Sequence, residues 1–178
     1  PENYGDAEIE GVELEARKGL AFIWSDLKDF SVGGNMTLQN SAVEYPDDIR
    51  EKLLKAHVYD DTRPMDGQAE ILGNLNLMYE NEPSGFSAGL VYNLKGETYV
   101  SGDTATDDTY VPSIIEKPVG TLDLMIGLKF AKVWRLGLEF KNLLDPDIET
   151  IYRTPYRDIP NTTYKMGRIY GMSLGCEW

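Results

Sequence analysis

Side-chain chemistry is narrow from the outset, because only one histidine and one cysteine occur among 178 residues. His57 stands beside Tyr59, Asp60 and Asp61. As a metal ligand it would need partners from other loops, so a solvated loop residue is the plainer reading. Asp103, Asp107 and Asp108 fall in the stretch Gly-Asp-Thr-Ala-Thr-Asp-Asp. Calcium sites draw on such oxygens, yet the Asp-x-Asp-x-Asp-Gly spacing and the closing glutamate are missing. The stretch reads as an acidic loop. Cys176 sits in an apolar alternation with no His or Asn beside it, which does not suit a reactive thiolate. A single cysteine also excludes a disulfide framework and a multi-thiolate zinc site. Glu13, Glu15, Asp123, Glu139 and Glu177 could be taken as acid/base carboxylates, but Arg17, Lys129, Arg135 and Lys141 share their face and make charge pairs the simpler reading. Gly-x-Ser-x-Gly occurs only inside alternating stretches, at 85–89 and 171–175, and not as a strand-to-helix elbow, and no Walker-type loop is present. No enzyme, cofactor or metal site is expected.

Composition narrows the class further. Seventeen Lys and Arg oppose thirty Asp and Glu, a formal charge of −13, which argues against a nucleic-acid partner. Hydrophobic residues make up 42 %, so a disordered chain is not expected. No apolar run reaches the roughly 18 to 20 residues of a spanning helix. A spanning β-strand needs only about 9 to 11 residues, half of them apolar, and average hydropathy is blind to it. No basic-plus-apolar leader opens the sequence, which begins Pro1-Glu2-Asn3-Tyr4.

Period-two alternation supplies the elements that would position any site. It runs through 11–17, 30–38, 71–79, 86–94, 121–130, 134–141 and the C-terminal stretch to Trp178. In each, one face carries large apolar residues, such as Leu122, Leu124, Ile126 and Leu128. The other carries Gly, Ser, Asn and charges of both signs. Seven strands result. Their connections alternate in length: short ones at Ser25–Asp29, Asn81–Gly85 and Ala131–Val133, and long acidic ones at Glu44–Asp66, Ser101–Gly120 and about Asp145–Thr163. Trp24, Phe30, Tyr79, Phe86, Phe130, Trp134 and Trp178 all lie beside short turns or the C-terminus, and so on one rim. Short turns on one side, long loops on the other and an aromatic girdle describe an all-β, transmembrane, antiparallel up-and-down barrel with its apolar face toward lipid.

Several segments resemble the C-terminal barrel region of TonB-dependent outer-membrane receptors. They are Gly11-Val12-Glu13-Leu14-Glu15, Asn35-Met36-Thr37-Leu38, Arg63-Pro64-Met65-Asp66-Gly67-Gln68, Tyr92-Asn93-Leu94-Lys95-Gly96, Glu116-Lys117-Pro118 with Leu122-Asp123-Leu124, and Lys141-Asn142-Leu143-Leu144-Asp145. Gly167-Arg168-Ile169-Tyr170-Gly171 through Trp178 completes the series. The resemblance implies a barrel of about 22 strands with an N-terminal plug, in the outer membrane of a Gram-negative-type bacterium. It implies TonB as the energy-coupling partner through an N-terminal part, a scarce nutrient such as a siderophore or glycan as cargo, and Trp178 as a signal to the barrel-assembly machinery. Residues 1–178 are then expected to be the C-terminal barrel segment alone, without plug or signal peptide, because seven strands cannot close such a barrel and lipid leaves an open edge unsatisfied.

For ligand capture the long loops offer Tyr45, Arg50, His57, Tyr59, Tyr110, Tyr152, Arg153, Tyr156 and Arg157. Tyrosine gives amphipathic contact and arginine charge-assisted hydrogen bonds. Two other readings stand beside this one. A small complete outer-membrane barrel or adhesin would need an eighth strand, from Ile148–Arg153 or before Gly11. A soluble all-β binding domain would pack two sheets face to face.

Overall fold

The computed structural model describes residues 6–176. From the N-terminus come β1 (Ala7–Gly19), two short 3-10 turns, β2 (Phe30–Glu44), helix α1 (Asp47–Lys55) and β3 (Thr62–Arg63). A hairpin of β4 (Ile71–Asn81) and β5 (Phe86–Lys95) follows. Four short strands come next: β6 (Thr98–Ser101), β7 (Thr104–Ala105), β8 (Tyr110–Val111) and β9 (Ser113–Glu116). The chain ends with β10 (Val119–Phe130), β11 (Trp134–Lys141), β12 (Ile148–Arg153), β13 (Asp158–Tyr164) and β14 (Ile169–Cys176).

The seven long strands form one antiparallel wall in the order β1-β2-β4-β5-β10-β11-β14, with β3 pairing beside β2. They are the seven that alternation marks out. Register explains why the faces stay distinct. Ile126 lies opposite Ala88 and Leu138, and Leu138 opposite Met172. One row on, Val32, Leu77, Leu90, Leu124, Phe140 and Tyr170 follow one another across six strands. The opposite face carries rows such as Asn35, Asn74 and Asn93, in which Asn74 Nδ2 donates to Asn35 Oδ1 at 2.7 Å. A slip of one residue on any strand would swap these rows.

Aromatics cluster at the short-turn end. Phe30 and Tyr79 pair directly with ring centroids 4.7 Å apart, and Tyr79 meets Phe86 at 5.9 Å. Phe130 pairs with Trp134 across a turn in which Ala131 and Lys132 both take left-handed backbone. At Asn81–Gly85 the Asn81 side chain accepts the Ser84 N–H at 3.0 Å, and Gly85 takes φ 69° against the Lys129 carbonyl. The first reversal is longer than Ser25–Asp29: β1 stops at Gly19, and the apolar run Leu20–Trp24, which does not alternate, forms the first 3-10 turn and leads into the second at Ser25–Leu27. Trp178 and Glu177 lie outside the described residues.

The three long connections are not plain loops. Strands β13-β12-β9-β6 form a second sheet whose order repeats β14-β11-β10-β5 in the wall. Only Gly96 and Glu97 part β5 from β6, and Lys117 and Pro118 part β9 from β10. The wall strands therefore run on, after a break, into an upper layer. Ile148–Arg153 is a strand, but it belongs to this layer and adds no eighth strand to the wall. Bulges between Thr150 and Ile151 and between Tyr99 and Ser101 interrupt period two, which hides these strands from a pattern reading.

At the break the charges follow their own logic. Glu139 and Lys141 form the expected kind of pair at 3.1 Å. Asp123 instead accepts the backbone N–H of Asn142 at 2.8 Å, with Asn93 Nδ2 at 3.4 Å. Asn142, at φ 57°, donates its amide to the Gly167 carbonyl at 2.7 Å, and Asp145 accepts the Gly167 N–H at 3.0 Å. This clasp ties the turn after β11 to the turn before β14. Gly167 sits at φ 80° with no atom within 4 Å of an added Cβ, so a side chain there is opposed by backbone conformation alone. Gly167→Val should cost about 1–2 kcal/mol, whereas Gly175→Val, also in open space but in an extended strand, should cost much less. Urea unfolding in detergent micelles measures both; equal losses would reject the clasp.

Candidate functional site

The upper layer holds a cleft of about 500 Å³, lined from three segments: Tyr45 with His57–Glu70, Glu97–Ser113, and Arg153–Pro155. Helix α1 fixes the first. Asp47 and Asp48 in its first turn and Lys52 and Lys55 in its last complement the helix dipole. Ile49 and Leu53, one turn apart, bury against Tyr45 and Ala105, with Val58 and Tyr110 packed alongside. Two residues past the end of the helix, His57 takes φ 65°, the left-handed position that commonly closes a helix. That conformation turns the His57 ring to the mouth of the cleft. There Nδ1 lies 3.1 Å from the Tyr59 hydroxyl, and the ring meets Tyr156 edge-on at 6.0 Å. Tyr59 and Tyr156 are 69 % and 76 % exposed, so this aromatic group is open to solvent.

Deeper in, Asp103 organises the wall of the cleft. Its buried carboxylate accepts the Tyr110 hydroxyl at 2.6 Å, the Ser113 N–H at 3.1 Å and the Tyr99 hydroxyl at 3.2 Å. Burial pushes the phenols of Tyr45, Tyr99 and Tyr110 well above the ordinary tyrosine range, and the nearby Asp103 charge adds to each shift. All three stay protonated and can donate hydrogen bonds. Arg63, buried behind them, pairs with Asp66 at 2.6 Å. On the far side Arg153 grips Glu97 through two bonds, at 2.5 and 2.9 Å, and the pairing holds its own pKa up.

Tyr45, His57, Tyr59, Tyr110 and Arg153 are thus brought together in the lining. Tyr156 reaches the site only through its contact with His57. Arg50 is engaged elsewhere, bound to Asp61 at 2.5 Å, where it ties α1 to the following loop. Tyr152 is half-buried in β12 and Arg157 is exposed in the turn after it; neither lines the cleft. Asp103 is separated from Asp107 and Asp108, which lie exposed at the tip between β7 and β8. Sequence reasoning passed over Arg63, Gln68, Glu97 and Tyr99. Arg63 and Gln68 share a segment whose Arg-Pro start within an acidic loop was a usable signal. Tyr99 and Glu97 lie at the bulged start of the upper layer, where no period marks them.

The ionisation argument has a definite sign. Unfolded tyrosines ionise near pH 10, while the three buried phenols hold their protons in the fold. Their contribution to the stability of the upper layer is therefore constant below pH 10 and falls as pH rises above it. In an ultraviolet tyrosinate titration these three should ionise only as the layer opens. Free titration of all eleven tyrosines near pH 10 would contradict the arrangement.

Comparisons with known proteins agree with this architecture. A family model described as "TonB dependent receptor-like, beta-barrel" matches residues 1–143. The crystal structure of the ferric yersiniabactin uptake receptor FyuA from Yersinia pestis superposes with a TM-score of 0.61 at 19 % identity. The match covers 99 % of this chain and 24 % of that receptor, so the chain spans about a quarter of its length. A search of curated proteins finds no match.

Proposed function

The chain belongs to the TonB-dependent receptor β-barrel family, and on that premise we propose that it forms part of an outer-membrane receptor that captures a scarce nutrient and imports it with TonB-coupled energy. The observation that carries this reading is the cleft: tyrosines, a histidine and two arginines gathered in a folded layer that sits on the long-connection end of the wall. Its volume suits a small ligand. In this reading residues 1–178 are the C-terminal segment of the barrel, and contact with TonB is made by a part that precedes it. Trp178 serves barrel assembly.

The apolar rows of the wall face lipid, and the Asn-, Gly- and Ser-rich rows face the lumen. Every N–H and C=O of a spanning segment must find its partner in the sheet, and the antiparallel ladders flank the five strands between β1 and β14 on both sides. Leu138, between Ile126 and Met172, lies near the midplane. Leu138→Arg should cost about 2–4 kcal/mol in a lipid-refolding titration, and Ser173→Arg on the opposite face less. Equal penalties would reject the assignment of faces.

The cleft is extracellular in this reading, and the turns at Asn81–Gly85 and Ala131–Val133 are periplasmic. In a background lacking Cys176, a cysteine replacing Asp107 should react with an impermeant reagent on intact cells, and one replacing Ser84 should not. The reverse pattern would invert the topology and remove the cleft from the side where nutrient arrives.

A further inference from the structure

On the reading that the apolar rows face lipid and the short turns are periplasmic, we propose that the reversal between β1 and β2 is an in-plane membrane anchor. Residues 20–24 lie among the headgroups of the periplasmic leaflet, against glycerophospholipid, and Lys18 reaches the lipid phosphates.

The side chains of this reversal set it apart from the other turns of the wall. Phe22, Ile23 and Trp24 are consecutive, large and apolar, and they are 67, 60 and 71 % exposed. The two neighbouring short turns carry Glu82-Pro83-Ser84 and Ala131-Lys132 at their tips. An apolar run of this size is costly in water and favourable at a lipid interface.

Register places the run on the lipid side of the wall. β1 turns Val12, Leu14, Ala16 and Lys18 to one face, and Lys18 stands opposite Val32 of the apolar row. The Phe22 ring lies against this lysine, with Nζ 5.6 Å from its centroid. The turn therefore leans to the outer face and not into the lumen. A lysine at the edge of an apolar face lays its stem along that face and carries its charge to the phosphates. Phe30 and Tyr79 mark the same rim on the neighbouring strands.

The backbone is built for the same surrounding. A segment that leaves water must satisfy its own N–H and C=O groups. Ile23 and Trp24 both donate to the Leu20 carbonyl, at 3.0 and 3.4 Å. Leu27 donates to Trp24 at 3.0 Å, and Lys28 to Ser25 at 3.3 Å. The reversal is also held at a fixed height. Asn81 Nδ2 donates to the Asp29 carboxylate at 2.7 Å, and the Glu80 N–H to the Asp29 carbonyl at 2.9 Å.

The test is nitroxide depth measurement on the full-length receptor chain in vesicles of phosphatidylethanolamine and phosphatidylglycerol. Labels are carried singly, in a cysteine-free background, by Phe22→Cys, Trp24→Cys, Ser84→Cys, Lys132→Cys and Leu138→Cys. Collision with oxygen reports lipid, and collision with a water-soluble nickel chelate reports water. Labels at 22, 24 and 138 should favour oxygen, and those at 84 and 132 the nickel chelate. Adding Lys18→Glu should move the label at 22 toward water. Heat-modifiable gel mobility checks that each variant is folded. Labels at 22 and 24 as open to nickel as those at 84 and 132 overturn the anchor while the label at 138 upholds the barrel. Labels at 22 and 24 closed to both reagents show that protein, such as the part of the chain preceding Pro1, covers the run, and overturn it equally. An unchanged depth in Lys18→Glu overturns the phosphate contact. A label at 138 that does not favour oxygen removes the lipid-facing wall, and the anchor falls with it.

Discussion

Period two, held in register across six strand pairings, is the constraint on which everything else in this molecule depends. Each pairing alone fixes only a neighbour. Together they align apolar rows from Val32 through Leu77, Leu90 and Leu124 to Tyr170, and polar rows such as Asn35, Asn74 and Asn93, on opposite faces. A sheet with one such face needs an apolar surrounding, and in lipid it must satisfy its backbone internally. The two demands select the same antiparallel ladder. Mutual reinforcement of this kind explains why a wall with few fully buried side chains still has one defined arrangement.

The upper layer obeys different physics. Its order comes from a small apolar nucleus around Ile49, Leu53 and Ala105, and from polar groups that converge on Asp103. A buried carboxylate accepting three hydrogen bonds is costly to build and costly to disturb. It positions Tyr99 and Tyr110 as donors, and burial keeps them in the donor form. The chemistry of the cleft therefore follows from the packing beneath it.

The same contrast accounts for what could be read from the residues alone. The wall was legible strand by strand, because a face exposed to one medium and a face exposed to another impose alternation, without exception from Trp134 to Lys141 and broken only by Met125 from Thr121 to Phe130. The upper layer was not. Its strands are four to seven residues long, two of them are bulged, and Asp158–Tyr164 is exposed along its whole length, so nothing selects for a period. About half of the loop residues picked for chemical type reach the cleft. Arg50 shows why type is insufficient: its guanidinium is already used by Asp61. Asp103 was visible as an acidic residue, but its role depends on partners seven and ten residues away that only the β7–β8 hairpin brings to it.

The repetition of the wall's strand order in the upper layer bears on how so long-range a sheet can form. Pairing β5 with β10 closes a connection from Lys95 to Val119, and pairing β11 with β14 closes one from Lys141 to Ile169. Left as open coil, such segments would each carry a loop-closure entropy that grows with their length. Here β6 pairs with β9 above the first, and β12 with β13 above the second. Each excursion thus becomes the upward continuation of the hairpin it interrupts, and a strand pair can zip from its tip down to the rim with only the tip left to close. What looks in the chain like distant partners is, along the zipper, a succession of near neighbours.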